Sequence, residues 1–205
     1  MPLRLGVLFS GSGTTLQNFI EHQAEGKLDV DIVCAASSRK DAYGLVRAAN
    51  YDVPAEAFHR EDYKEDLAAF NKDIWDYLRE HECQVVALAG FMSLLEVPED
   101  YTNRITNVHP GLIPSFCGKG MYGHRVHEAV LEYGAKVSGA TVHFVDDQYD
   151  HGPIILQVPV PVLDDDTADT LAERVQAAER MVYPQALQLI AQGRVTVEGR
   201  RVRIR

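Results

Sequence analysis

The chain has 205 residues, 46% of them apolar and 24% charged, which is enough to bury a sizeable core without covalent staples. Thirty acidic against 20 basic residues leave a net charge of −10, which argues against general nucleic-acid binding through a basic surface but allows a small local anion site. Three widely spaced cysteines, Cys34, Cys83 and Cys117, argue against a disulfide framework or a Cys-based zinc site and suit a reducing cytoplasm.

No apolar run approaches the roughly 18 residues that span a bilayer, so no membrane partner is expected. The short apolar run near the N-terminus reads as a first strand rather than a signal peptide. Residues 1–205 read as a single domain. The elements in chain order are a strand at Leu3–Phe9, a helix at Thr14–Ala24 with Leu16, Phe19 and Ile20 on one face, a strand at Val30–Ala36, a helix at Ala42–Asn50 and a short extended piece at Pro54–Phe58. A long helix is expected over Asp62–His81, with Leu67, Phe70, Ile74 and Leu78 on its apolar face. Strands follow at Gln84–Ala89 and Arg104–His109, then a helix at His124–Tyr133 and strands at Val137–Val145 and Ile154–Val160. The spacing then predicts a helix over Thr167–Ala191, capped by Asp166 or Thr167, and a terminal hairpin at Val195–Ile204 turning on Glu198-Gly199.

Strands alternating with helices predict an α/β fold, a Rossmann-like, mainly parallel twisted sheet with helices on both faces, with antiparallel strands toward the C-terminal part. Ligands of such sheets sit at the carboxyl ends of strands, so chemistry is sought just after Phe9, Ala89, Val108 and Val145.

Three segments qualify. Ser10-Gly11-Ser12-Gly13-Thr14-Thr15 is a glycine-rich turn running into a helix, where free N–H groups and the dipole favour a phosphate. It lacks the Gly-Lys-Ser/Thr of a P-loop, has Leu16 where a dinucleotide fingerprint has its third glycine, and is not a nucleophile elbow. A ligand-free βα turn is the plain alternative. In Asn107-Val108-His109-Pro110, strand alternation points Asn107 and His109 the same way. One offers an amide donor for an oxyanion, the other a proton near physiological pH. The loop Asp146–Pro153 holds three carboxylates, Asp146, Asp147 and Asp150. One of them near His109 would raise its pKa and orient the ring, but spacing does not choose among them. His124, His127 and His143 form no paired metal signature, so no metal is expected.

Taken in order, Ser10-Gly11-Ser12-Gly13-Thr14-Thr15-Leu16-Gln17, Leu88-Ala89-Gly90-Phe91-Met92, Asn107-Val108-His109-Pro110, Leu112-Ile113-Pro114 and Asp150-His151-Gly152-Pro153-Ile154 resemble the phosphoribosylglycinamide formyltransferase family from about residue 3 to about 192. Methionyl-tRNA formyltransferase and formyltetrahydrofolate hydrolase share core elements but carry further domains. The resemblance implies transfer of a formyl group from 10-formyltetrahydrofolate, the co-substrate, to the amine of N1-(5-phosphoribosyl)glycinamide, in the synthesis of IMP. Its implied partners are these small molecules, in a cytoplasmic monomer or homodimer.

It further implies that Asn107, His109 and Asp150 are catalytic. Gly13, Thr14, Thr15 and Glu179 bind the ribotide. Arg60, Met92, Ser93, Leu94, Leu95, Asn107, Asp147 and Gly152 line the folate site. Asn107 and protonated His109 stabilise the tetrahedral oxyanion, while Asp150 keeps His109 charged and helps relay the amine proton. Two departures stand out: Ser93 replaces an expected basic residue, and Phe116–Gly123 is longer than the common loop, leaving His127 the better match to a family histidine. Rival readings are another formylfolate-dependent transferase or hydrolase, a non-catalytic sugar-phosphate binding protein, and a nicotinamide dehydrogenase. The last expects an acidic residue at the end of the second strand, where the chain has Ala35-Ala36-Ser37-Ser38.

Overall fold

Leu3–Phe9 forms the first strand, β1, with Leu5, Val7, Leu8 and Phe9 fully buried. A run apolar at nearly every position is what a strand covered on both faces requires, since no face is left for polar side chains. The computed structural model describes residues 1–64 and 66–205. In it β1 pairs in parallel with β2 (Val30–Ser37), which carries the short parallel strand β3 (Ala55–Ala57) beyond it. On its other side β1 pairs in parallel with β4 (Val85–Leu88).

The residues Met1–Thr106 make one compact unit and Asn107–Arg205 a second. The helices of the first are α1 (Thr14–Ala24), α2 (Tyr43–Asn50) and α3 (Leu67–Glu80). Leu16, Phe19 and Ile20 are the buried residues of the predicted face of α1. The helix expected over Asp62–His81 is shorter than that span and begins where its apolar stripe begins, at Leu67. Arg60–Tyr63 is a 3-10 turn, Lys64 takes φ 51, and Asp66 caps α3 by accepting the Ala69 N–H at 2.9 Å. A left-handed residue cannot continue an α-helix, and a capping carboxylate starts a new one. Glu65, inside the expected span, lies outside the described residues. Phe70, Ile74 and Leu78 are the buried stripe that the periodicity predicts.

β5 (Ile105–His109) begins in the first unit and ends in the second. The second unit continues with α4 (His124–Tyr133), β6 (Val137–Phe144), β7 (Ile154–Pro161) and α5 (Ala168–Ala191). The hairpin of β8 (Val195–Glu198) and β9 (Arg201–Ile204) follows. The hydrogen-bonded order is β3-β2-β1-β4-β5-β6-β7, mostly parallel, with β6 and β7 antiparallel and the hairpin a separate two-stranded sheet. α5 begins with a capping box in which Thr167 and Thr170 satisfy each other's N–H groups, so Thr167, of the two expected candidates, is the cap. Leu171, Val175, Ala178, Val182 and Ala186 recur every three or four residues and are all buried. Among the described residues no helix is long and apolar enough to cross a membrane.

Candidate active site

In the first unit, the glycine-rich turn is built by close backbone approach. Gly13 has φ 72, and a Cβ there would lie 2.4 Å from the Cα of Gly44. Glycine alone satisfies both constraints. The Gly44 N–H donates to the Gly11 carbonyl at 3.1 Å, and the Arg47 Nε–H donates to the Ser12 carbonyl at 2.9 Å. No side chain caps α1 at Gly13, and Thr14 is exposed. Among the described residues no side-chain cap thus competes at the start of α1, which is the electrostatic requirement of an anion cradle. Ser10 takes no part in it. Its buried hydroxyl lies 2.6 Å from that of Ser38 and accepts the Met92 N–H at 2.8 Å.

The remaining first-unit positions expected at a folate site are distributed unevenly. The Arg60 guanidinium lies 5.6 Å from the Phe70 ring centre, and Phe70 stacks with Phe91 at 6.4 Å. Met92 and Leu94 are exposed apolar side chains, Ser93 is half-buried, and Leu95 is turned into the core.

In the second unit, β5 presents Asn107 and His109 at its carboxyl end. His109 is buried, its Nδ1 3.4 Å from Oδ2 of Asp150 and its Nε2 2.9 Å from the Phe116 carbonyl. The same Asp150 oxygen accepts the Gly118 N–H at 2.8 Å, and the other lies 3.7 Å from Nε2 of His143. His143 Nδ1 faces the Phe144 carbonyl at 2.7 Å, and a carbonyl only accepts, so Nδ1 carries the proton. In the neutral ring this leaves His143 Nε2 to accept from the Asn107 amide at 3.2 Å, and in the charged ring Nε2 carries the second proton toward Asp150.

These contacts choose among the three carboxylates. Asp150 is the one at His109. Asp146 closes its own loop, accepting the Gln148 N–H at 3.0 Å and pairing with His151 Nδ1 at 2.7 Å. Asp147 is exposed. Gly152 is fixed by space, since a Cβ would lie 1.9 Å from the Phe144 carbonyl oxygen.

Burial pushes the His109 pKa below its ordinary value; the Asp150 charge and the Phe116 carbonyl pull the other way but do not overcome it. The expectation that Asp150 keeps His109 charged is corrected accordingly: Asp150 acts in the expected direction, and desolvation is larger. Burial also raises the Asp150 carboxyl, but His143, His109 and the Gly118 N–H together hold it below the usual range. His127, on α4, is buried and pushed down to about 4 by that burial and by His124 and His109, and its Nδ1 has no hydrogen-bond partner among the described residues. Glu179, half-buried on α5, is pushed up to about 7 by loss of water, with the Arg180 charge pulling it down. Among the described residues no three His, Cys, Asp or Glu side chains converge as metal ligands would.

The sequence reading passed over His143 and Phe116 as members of this cluster. Strand alternation was the available signal for His143, because Thr141 and His143 share a face of β6. Thr141 also reaches this region, its hydroxyl donating to the Gly111 carbonyl at 2.6 Å and accepting the Ile113 N–H at 3.2 Å. Nothing in the sequence marks the Phe116 carbonyl.

The model of the formyl transferase family matches residues 3–187. Bovine trifunctional purine biosynthetic protein adenosine-3 is 41% identical over 94% of this chain, which spans only 19% of that relative's length. Phosphoribosylglycinamide formyltransferase of Haemophilus influenzae is 32% identical over 95% of this chain and 90% of its own length. The crystal structure of glycinamide ribonucleotide transformylase 1 from Symbiobacterium toebii superposes with a TM-score of 0.92 at 42% identity, covering 99% of this chain and 94% of that one. With its match running through both the glycine turn and the Asn107–His109–Asp150 cluster, the chain belongs to the formyl transferase family, among the phosphoribosylglycinamide formyltransferases.

Proposed function

We propose that the protein transfers the formyl group of 10-formyltetrahydrofolate to the amine of N1-(5-phosphoribosyl)glycinamide, as a step of IMP synthesis in the cytoplasm. The observation that carries this reading is the convergence of Asn107, His109 and Asp150, from two segments more than forty residues apart, on one buried cluster. The family model running without a break from residue 3 to 187 supports treating residues 1–205 as one formyltransferase domain.

The amine nitrogen attacks the formyl carbon and a tetrahedral oxyanion forms. The Asn107 amide has two N–H groups, and His143 occupies one, so the second is left for the oxyanion. His109 donates from Nε2, with the formyl oxygen taking the place of the Phe116 carbonyl. Asp150 faces Nδ1 and stabilises the imidazolium form as negative charge develops on the substrate. The C–N10 bond then breaks. The proton lost by the attacking amine ends on the folate nitrogen, so the reaction consumes none. In this reading Gly13, Thr14 and Thr15 hold the ribotide phosphate and Glu179 the ribotide. Arg60, Met92–Leu95, Asp147 and Gly152 line the folate site.

Incubation with ribotide and 10-formyltetrahydrofolate, followed by folate absorbance and mass analysis of the ribotide, tests the reading. Formylated ribotide and tetrahydrofolate in equal amounts are expected. Folate turnover without ribotide would mark a hydrolase, and ribotide binding without turnover a binding protein.

A further inference from the structure

We propose that Arg200, at the tip of the terminal hairpin, is a positioning residue for the loop that carries Asp150. Its Nη2 donates to the His151 carbonyl at 2.7 Å, and its Nη1 lies 2.9 Å from Nε2 of the His151 ring. The same Nη1 is 3.3 Å from Nδ1, so the guanidinium lies over the imidazole face while the edge of the ring meets Asp146 through Nδ1 at 2.7 Å. Arg200 thus holds the His151 carbonyl and covers its ring, and Asp146 holds the ring's edge, across the outside of the loop. His151 lies between Asp150, which has φ 53, and Gly152, which is pressed against the Phe144 carbonyl. Holding both its ring and its carbonyl fixes the backbone on which the Asp150 carboxylate is mounted.

The hairpin is itself held. β9 lies against β7, Gly199 supplies the positive φ its turn needs, and Arg203 pairs with Glu198 at 2.8 Å. It lies beyond residue 187, where the family match ends. Of the three residues of this strap Arg200 alone lies outside the matched region, and His151 and Asp146 lie inside it. The strap's kinetic readout rests on the formyl-transfer reading, because the same loop contains the Asp147–Gly152 folate segment.

The experiment compares Arg200→Ala, Arg200→Lys and Arg203→Ala with the wild type, in steady-state formyl transfer and in amide hydrogen exchange of residues 146–152. Arg200→Ala is expected to raise the KM for 10-formyltetrahydrofolate about three- to tenfold, the range of one or two exposed hydrogen bonds, and to shift the ribotide KM by less than about twofold. Exchange in 146–152 quickens. Arg200→Lys recovers part of the loss, since an ammonium cannot reproduce the planar fork. Arg203→Ala, which breaks only the pair inside the hairpin, leaves both readouts at the wild-type level. Wild-type exchange and folate KM in Arg200→Ala overturn the proposal. So do equal shifts in both KM values, or the same changes in Arg203→Ala, which assign the effect to the hairpin's own fold. A wild-type protein inactive in formyl transfer sinks the functional reading instead, and the exchange comparison still decides the strap.

Discussion

Asn107 and His143 share one hydrogen bond at 3.2 Å, and because the His143 proton is committed to the Phe144 carbonyl, that bond sets which end of the Asn107 amide turns toward the site. An amide alone could present either its oxygen or its nitrogen. Asn107→Asp keeps the shape but replaces donors with a charge that repels an oxyanion. It is expected to lower kcat by about 10²–10³, with the ribotide KM little changed. His143→Ala, which frees the amide to turn over, should produce a smaller loss of the same kind in steady-state kinetics.

The glycine turn predicts a split between the two substrates. Gly13→Val puts a branched side chain at φ 72 and 2.4 Å from Gly44, closing the backbone approach at the start of α1. The ribotide KM is expected to rise more than about tenfold, as the loss of a charge-assisted hydrogen bond would require. The folate KM should stay near its wild-type value. Thermal melting of the variant separates this effect from unfolding, and equal rises in both KM values would sink the assignment.

Comparing Asp146→Asn, Asp147→Asn and Asp150→Asn ranks the three loop carboxylates. Asp150→Asn should be the most damaging to turnover, because only Asp150 faces His109 and His143. Asp147→Asn should be near wild type in kcat. If Asp147→Asn is the worst and Asp150→Asn mild, the placement of the loop is wrong.

His109 titrates below its ordinary value, with Asp150 holding it up against burial. Removing that charge in Asp150→Asn is therefore expected to lower the His109 pKa further, as read by ring NMR titration. An unchanged value would mean that Asp150 acts on the substrate proton or the loop and not on the ring.

His127 predicts an acid-sensitive stability. Its folded pKa of about 4 lies below the ordinary 6.5. The unfolded chain therefore binds the proton more readily, and the stability this neutral ring contributes is complete above pH 6.5 and lost as pH falls toward 4. Between pH 7 and pH 5 the loss is about 2 kcal/mol. Urea unfolding at both values should show it in the wild type and a smaller drop in His127→Gln. Equal drops in both would show that His127 is not the group responsible.

Much of this was legible in the sequence, and for stated reasons. Leu5, Val7, Leu8 and Phe9 form a run with no polar face, which only a doubly covered strand explains. From Leu171 to Leu187 the apolar residues of α5 recur every three or four positions, so a long helix could be read directly. Asn107 and His109 could be set on one face by the period of two alone. The start of α3 was expected five residues early: the apolar stripe begins at Leu67, where the helix begins, but the backbone angle of Lys64 that ends the preceding turn leaves no mark in the spacing. The charge state of His109 was beyond the sequence for another reason. It is a contest between burial and a partner, and spacing names the partner without measuring the burial. The Arg200–His151 contact links positions 49 apart through side chains that no periodic pattern connects.

Ser10 has one hydroxyl proton and two lone pairs, and it spends them on Ser38 and the Met92 N–H, residues 28 and 82 positions away. In evolutionary terms this ties positions 10 and 38 together unequally. Loss of the Ser10 hydroxyl leaves both the buried Ser38 hydroxyl and the Met92 N–H without this partner, whereas loss of the Ser38 hydroxyl leaves Ser10 its bond to Met92, so position 10 should tolerate less change than position 38. At position 92 the contact draws on the backbone N–H alone, so of itself it excludes only proline there.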